Sequence, residues 1–522
     1  MKTETTHNRV YYILAFLIGI FSISGIMLRI RDGYGKGTFL IISLFLSLLL
    51  CPMICKGLLI IQKKIYIRSS DISDKEYRIL PWYCYIIPVF LIQFPFFLAF
   101  YPGICTFDLP SQMEQYDSWI FTSNHPLIHT LYVGFLRGLF DDHNKGYALA
   151  NMIQMIVLDS VISYAVYWVD CRMKRTWIRY ALVLGYAFHP VVIFLSMSCT
   201  KDVLFTAFAL LHTLLLCNES EGKRSIANRA MMVVSCVFML LLRNNAIYAY
   251  LLFSVLLFVI FAANKRKATA MFLCIIAALL IYFSVNRVLI FALDANATSV
   301  KEIMSVPAQG DGRLYSVSND ITERELIKNY IEYPEKYEYY IADPMKSQLP
   351  FDVIDSKCKH FLLDSAILAL HHPTVYVDAF LYNTQGYWDI MRAPYQYERT
   401  FLAPLAYKVD AVLDSKLPWL TKICQTNLYS TGPFVGTPVI ILLNMALYIW
   451  VTLYGLTRGI YEKNCNKICL SLLPMTYLLT LLLGPAAITR YAFLFYLIAP
   501  VVLLYSLQID KEIENRGYTG NE

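Results

Sequence analysis

Residues 230–263 read AMMVVSCVFMLLLRNNAIYAYLLFSVLLFVIFAA, thirty-four positions with one cluster of polar side chains, Arg243, Asn244 and Asn245, near the middle. A single crossing of a bilayer takes about 20 apolar residues, so the run is too long for one helix. It predicts two short helices, 229–242 and 245–263, that turn at Arg243. The dozen or so apolar residues before Arg243 provide roughly 18 Å of helix, which puts its guanidinium below the headgroups. A charge there costs about 2.5–3.5 kcal/mol if left unpaired, so Arg243 calls for an anionic partner in the protein or in a ligand.

The same pattern extends outward. Over 522 residues, 57% are hydrophobic, 15% aromatic and 16% charged, a balance suited to a multi-pass membrane protein. Apolar segments occur at 10–30, 38–61, 80–100, 147–169, 178–197, 202–217, 268–292, 433–457, 468–483 and 487–508. With the pair around Arg243 this gives an all-α fold of about twelve transmembrane helices. The first segment is too long for a signal-peptide core and no A-x-A-like site follows it, which makes it a retained helix.

Basic residues fall in alternate short loops: Lys63, Lys64, Arg68, Lys75 and Arg78; Arg172, Lys174 and Arg175; Lys223 and Arg224; Lys265, Arg266 and Lys267; Arg458, Lys463 and Lys467. Positive charge marks the cytoplasmic side, so both termini are expected inside and residues 101–146 and 293–432 outside a plasma membrane. Arg31 and Lys36, in the first outer loop, fit least well. The expected organisation is an N-terminal transmembrane module over 1–292, an extracytoplasmic segment over 293–432, and C-terminal helices with a short tail over 433–522. The outer segment holds 18 acidic and 13 basic residues, so the net charge of +7 arises in the membrane module. Topology accounts for that excess, and nucleic acid need not be invoked. Thirteen cysteines show neither zinc spacing nor a disulfide framework, although Cys358 and Cys424 could pair outside. No internal repeat is visible.

Several chemically distinctive residues are predicted to share the outer face. Asp108 ends YPGICTFD (101–108), where it suits a helix N-cap with Pro110 in the first turn, ahead of the amphipathic SQMEQYDSWIF. NHPLIHT (124–130) sets His125 and His129 one helical turn apart. They could form a metal pair, but no third ligand is evident; a solvated turn with a core histidine is commoner, and His125 alone suits a donor to a phosphate or hydroxyl. Lys201 and Asp202 begin a segment with about fifteen apolar residues, short for a span. Such a helix start, sunk in the outer leaflet, can hold a lipid phosphate with its amides and the ammonium; a dipole-facing acid and a snorkelling lysine are the plainer alternative. Arg490 opens the last apolar segment. Tyr387 and Trp388 lie in the aromatic stretch 379–398, suited to stacking on a sugar or to an interfacial belt. KHFLLDSAILALHH (359–372) has the pattern of a helix lying on the membrane surface.

An aspartate just after a helix, a Lys-Asp pair opening a later one, an arginine at an outer turn and another before a late helix resemble the GT-C superfamily of membrane glycosyltransferases. In order, YPGICTFD, NHP, KDVLF, RNNA, IADPMK, HHPTVYVDAFLYNTQGYW and TRY resemble more closely a multi-spanning family of Gram-positive bacteria known only as a domain of unknown function. The likeness runs over roughly 80–500. It departs at MSVPAQGDGRLY (304–315), which lacks a second glutamine and an aliphatic residue before the arginine, and so assigns no role to Gln309 or Arg313.

The resemblance implies inverting transfer of a sugar from a polyprenyl-phosphate donor to an extracytoplasmic envelope glycan. Asp108 would be the base, Lys201, Arg243 and Arg490 the phosphate ligands, and His125, Asp202, Tyr387 and Trp388 substrate contacts. Members of the superfamily differ in their need for a divalent cation such as Mg or Mn, and no outer cluster here is rich enough in carboxylates to decide it. Two other classes compete: a polyprenyl-saccharide flippase or transporter, expected to show matched halves, and a noncatalytic assembly protein for envelope polysaccharide.

Overall fold

The computed structural model describes residues 2–30, 53, 56, 77–105, 108–223, 225–261, 265–390, 409–429 and 442–507. The segment expected at 38–61, residues 433–441 of another, and Arg31, Lys36, Lys63, Lys64, Arg68, Lys75 and Arg224 lie outside them, apart from positions 53 and 56. The described residues are helical and joined by turns, with only isolated β-bridges among them.

The membrane-type helices follow the apolar segments closely. They are α1 (Lys2–Ile30), α2 (Ile86–Ala99, continuing a 3₁₀ turn Trp82–Tyr85), α5 (His143–Met173), α6 (Thr176–Phe188), α7 (Pro190–Ser196), α8 (Lys201–Ser220), α9 (Ile226–Leu242), α10 (Ala246–Phe261), α11 (Lys265–Ala292), α18 (Met445–Tyr461), α19 (Cys465–Leu482) and α20 (Phe493–Leu507). Between them come α3 (Leu109–Ser118) and α4 (Leu127–Arg137), and then the helices of the segment expected outside, called the outer group after that expectation: α12 (Ser305–Val317), α13 (Ile321–Lys328), α14 (Asp343–Lys346), α15 (Ser356–His371) and α16 (Pro373–Thr384); α17 (Pro418–Tyr429) packs on α2.

Among the described residues five stretches are long and apolar enough to cross a membrane: Trp82–Ala99, His143–Met173, Lys201–Ser220, Thr269–Ala292 and Cys465–Leu482. A sixth arises if α6 and α7, bent by 57° where Pro190 interrupts the ladder, count as one span. The apolar parts of α1, α9, α10 and α20 are shorter. Two boundaries differ from expectation. The segment expected at 202–217 is a 20-residue helix with Lys201 and Asp202 as its first residues, long enough to span. The last helix starts at Phe493, leaving Arg490 in the turn before it.

α8 runs through the middle of the bundle, packed on α5, α9, α19 and α20, and nearly all its side chains are buried. Its two ends differ. At the Ser220 end, Arg172 donates to Glu221 Oε1 at 3.0 Å and to Asn218 at 2.8 Å, Arg229 pairs with Glu219, and Arg458 and Lys467 pair with Glu462. At the other end, 20 residues or about 30 Å away, Lys201 faces the loops that carry Asp108, Arg243 and Arg490.

The outer group has its own core, in which α12 packs on α15 and α16 through Ala308, Leu314, Phe361, Leu368 and Val375. On α15 the residues that turn away, Leu363, Ile367 and Leu370, are exposed, an apolar face of the kind expected of a helix at a bilayer surface. Cys358, in this core, and Cys424, in the main core, are both free thiols, so the considered disulfide is absent.

Candidate active site

Asp108 and Lys201 meet because the backbone brings them together. The Ile104 amide donates to Met197 O at 2.9 Å and the Cys199 amide to Ile104 O at 2.9 Å, a parallel bridge just upstream of both residues. Two side chains of α5 fix the arrangement: Asn151 donates to Pro102 O at 3.0 Å and Gln154 to Ser198 O at 2.5 Å. Gly103 sits in this layer with φ +111°, where a Cβ would lie 2.2 Å from Asn151 Nδ2 and 2.8 Å from Met197 O. Only glycine fits both the angle and the gap.

Asp108 then occupies the N-cap position of α3, with Pro110 in the first turn as expected, but its side chain caps nothing. The carboxylate turns instead to cations. Lys201 Nζ donates to Oδ2, and Arg490 donates through NH1 to Oδ2 at 3.0 Å and through NH2 to Oδ1 at 3.3 Å. His125 Nδ1 lies 3.9 Å from the same oxygen and 3.4 Å from Lys201 Nζ. The loop bearing His125 is held in place by Asn244, which donates to Ser123 O at 2.7 Å, and by the Ser299 amide, which donates to Asn124 Oδ1 at 2.9 Å.

The second carboxylate, Asp202, is 1% exposed and pairs with Arg243, while Arg490 NH1 reaches it at 3.4 Å. Arg243 therefore has the anionic partner its depth called for. Its guanidinium also lies 4.6 Å from the Tyr491 ring centroid, and its Nε donates to Asn245 at 3.0 Å. The cluster thus joins three cations, two carboxylates and one imidazole, and carries an excess positive charge. Asp108 and His125, near one-fifth exposed, are its accessible members.

Burial alone would raise the Asp108 pKa, but Arg490 and Lys201 overcome it and hold the carboxyl well below the usual range. Burial, reinforced by Lys201, lowers His125 to about 4, so its ring is neutral at pH 7. His129 takes no part. It is fully buried on α4, with Nδ1 3.0 Å from Gln112 Oε1. Among the described residues no three His, Cys, Asp or Glu side chains are grouped to hold a metal.

Residues 113–517 match the Family of unknown function (DUF6020). The chain belongs to that family. The matched region includes His125, Lys201, Asp202, Arg243 and Arg490, and Asp108 stands five residues ahead of it. No curated protein and no solved structure matches this DUF6020 chain.

Two expected substrate contacts lie elsewhere. Tyr387 is 2% exposed and donates to Ala486 O at 3.1 Å; Trp388 packs 5.5 Å from the Phe21 ring and its carbonyl accepts from Trp450. Both are buried, Tyr387 against the segment that leads to Arg490 and Trp388 beside α1 and α18. A cavity of about 780 Å³ opens at the opposite end of α8, lined by Trp82, Tyr164, Trp168, Arg172, Asn218 and Met231 among others. There Arg172 donates to Asn218 and to Glu221.

Sequence reasoning missed the partners that build the site. The pairing of Asp202 with Arg243 was not foreseen, nor were the braces Asn151 and Gln154. Their signal was weak but present: two amides three residues apart in a largely apolar stretch of α5.

Proposed function

We propose that the protein is a GT-C-type glycosyltransferase of the plasma membrane that moves a sugar from a polyprenyl-phosphate donor to an envelope glycan. In this reading about twelve helices cross the membrane, both termini are cytoplasmic, and the cluster at the start of α8 is extracytoplasmic. The observation that carries it is the convergence of Asp108, Lys201, Asp202, Arg243, Arg490 and His125 from five separate parts of the chain.

The chemistry follows from the charges. An anionic phosphate entering the cluster competes for Lys201, Arg243 and Arg490 and loosens their hold on Asp108, whose pKa then rises toward that of a useful base. The acceptor hydroxyl attacks the anomeric carbon, its proton passes to Asp108, and the bond from that carbon to the phosphate oxygen breaks on the opposite face. Charge growing on the departing phosphate is stabilised by the three cations, which the fold holds in place beforehand. Arginine suits this work because its planar donors grip two oxygens at once.

The test is purified protein in nanodiscs with radiolabelled polyprenyl-phosphate sugars and an envelope-glycan extract. Release of polyprenyl phosphate with label in the glycan supports transfer. Movement of intact donor between leaflets without cleavage would indicate a flippase, and binding with neither would indicate an assembly role.

A further inference from the structure

The outer group contains a cation whose surroundings are incomplete. Arg313 on α12 is 7% exposed, and its Nε and NH1 have no hydrogen-bond partner among the described residues. The similarly buried Arg137, Arg179, Arg243 and Arg458 each have a carboxylate. Arg313 instead lies between two aromatic rings, 5.3 Å from the Tyr339 centroid and 5.7 Å from that of Tyr382. Cation–π attraction at that range is modest and leaves the N–H donors unused.

One turn earlier on the same face of α12 is Gln309. Its Nε2 donates to Glu338 O at 2.6 Å and Tyr339 O at 3.3 Å, and its Oε1 is buried without a partner among the described residues. Unused donors, an unused acceptor and tyrosine rings therefore share one place. The segment that follows Tyr339 is joined to the one that leads to the charged cluster. The Ala342 amide donates to Pro485 O at 2.7 Å, Ile341 bridges to Ala486, and the chain reaches Arg490 four residues later.

We propose that Arg313, Gln309 and Tyr339 form a subsite for a negatively charged saccharide, the charge received by Arg313, a sugar ring set against the half-buried Tyr339, and a hydroxyl donating to Gln309, with the buried Tyr382 as the wall behind them. The assignment rests on the reading above and names the acceptor class: a glycan carrying carboxylate or phosphodiester groups. The carboxylate and phosphodiester share the chemistry that Arg313 recognises, and the experiment separates them.

Three oligosaccharides of matched length serve as probes for the full chain in nanodiscs: a tetragalacturonate, a glycosylated tetra(glycerol phosphate), and neutral chitotetraose. At least one charged probe is expected to bind tenfold or more tighter than the neutral one. Arg313→Gln should erase that preference while Asp108→Asn keeps it, and whichever charged probe binds tighter identifies the group. In wild-type protein, which needs no altered residue to fold, the same probe should slow phenylglyoxal modification of Arg313 at least fivefold and chitotetraose should not. The proposal is overturned if neither charged probe is preferred, if Arg313→Gln retains the preference, or if the neutral sugar protects equally. Preference without donor turnover would sink the transferase reading alone, and turnover on glycan without charge preference would sink the subsite alone.

Discussion

The Ile104 carbonyl accepts from the Cys199 amide at 2.9 Å, and this link sets Asp108 beside Lys201. Ile104 precedes Asp108 by four residues and Cys199 precedes Lys201 by two, so the ion pair follows from where the two segments are joined. Gly103 holds that layer closed.

Gly103→Ala should therefore lower stability by about 1–3 kcal/mol, through a forced left-handed residue and displacement of Asn151. It should also reduce turnover although Gly103 touches no substrate. Thermal melting in detergent and initial rates check both. An Ala variant with unchanged melting and rate would mean that the bridge does not position Asp108.

Asp311 gives the outer group a pH dependence of known sign. It is fully buried on α12, accepts from Ser365 at 2.6 Å and from Tyr376, and burial pushes its pKa up to about 7 from an ordinary 3.8. Between those values the folded state keeps a proton that the unfolded chain releases, so this group's contribution falls as pH rises from about 4 to 7 and is flat above. Asp311→Asn, which keeps an acceptor without the charge, should raise the melting temperature more at pH 8 than at pH 5. An effect equal at both values would show that Asp311 does not titrate in this range. His125, lowered to about 4, acts in the opposite sense, and its contribution is lost as pH falls below about 6.5.

Orientation is tested at exposed positions. Single cysteines at Ser347 and Lys357, in the outer group, should react with a membrane-impermeant maleimide in intact cells, and one at Lys223 should react only after lysis. Thr489, in the Arg490 turn, is 2% exposed and too buried to report. Labelling at Lys223 but not at Ser347 would invert the topology and remove the extracytoplasmic reaction.

The helices were legible because hydrocarbon imposes one simple demand, a run of apolar residues whose backbone groups bond within the run. The turn at Arg243 was legible for the same reason, since an arginine is costly inside such a run. Charged residues at helix ends were visible individually. What could not be read was how they are shared. Asp202 suits a helix dipole as well as an ion pair, and only the packing of α8 against the Arg243 turn decides for the pair. Tyr387 and Trp388 show the converse limit, because an aromatic ring fits a sugar site and a packed interior equally well. Asp159, fully buried on α5 with both oxygens unpartnered among the described residues, left no mark in the sequence beyond being a carboxylate in the apolar middle of a helix.

The sharpest prediction separates Asp108 from Arg243. Asp108→Asn keeps the shape and removes the proposed proton acceptor, so turnover should fall on the order of 100-fold to 10,000-fold while expression and donor binding hold. Its side chain caps no helix amide, so no capping energy is lost, but the change removes the charge that Lys201 and Arg490 share, and thermal melting is read beside the rate to separate the two effects. Arg243→Ala is a poor comparison, because it strips the buried Asp202 of a partner, and breaking a buried pair costs about 3–5 kcal/mol. Arg243→Lys keeps the charge and loses the planar fork. It should raise the apparent donor constant and lower turnover less than Asp108→Asn does, since in the proposed mechanism its contact with the phosphate exists in the ground state as well as the transition state. Initial rates against donor concentration, for the three proteins in one nanodisc preparation, distinguish these patterns. An Asp108→Asn protein within about threefold of wild type would take Asp108 out of the mechanism and leave it as the anion that neutralises Lys201 and Arg490.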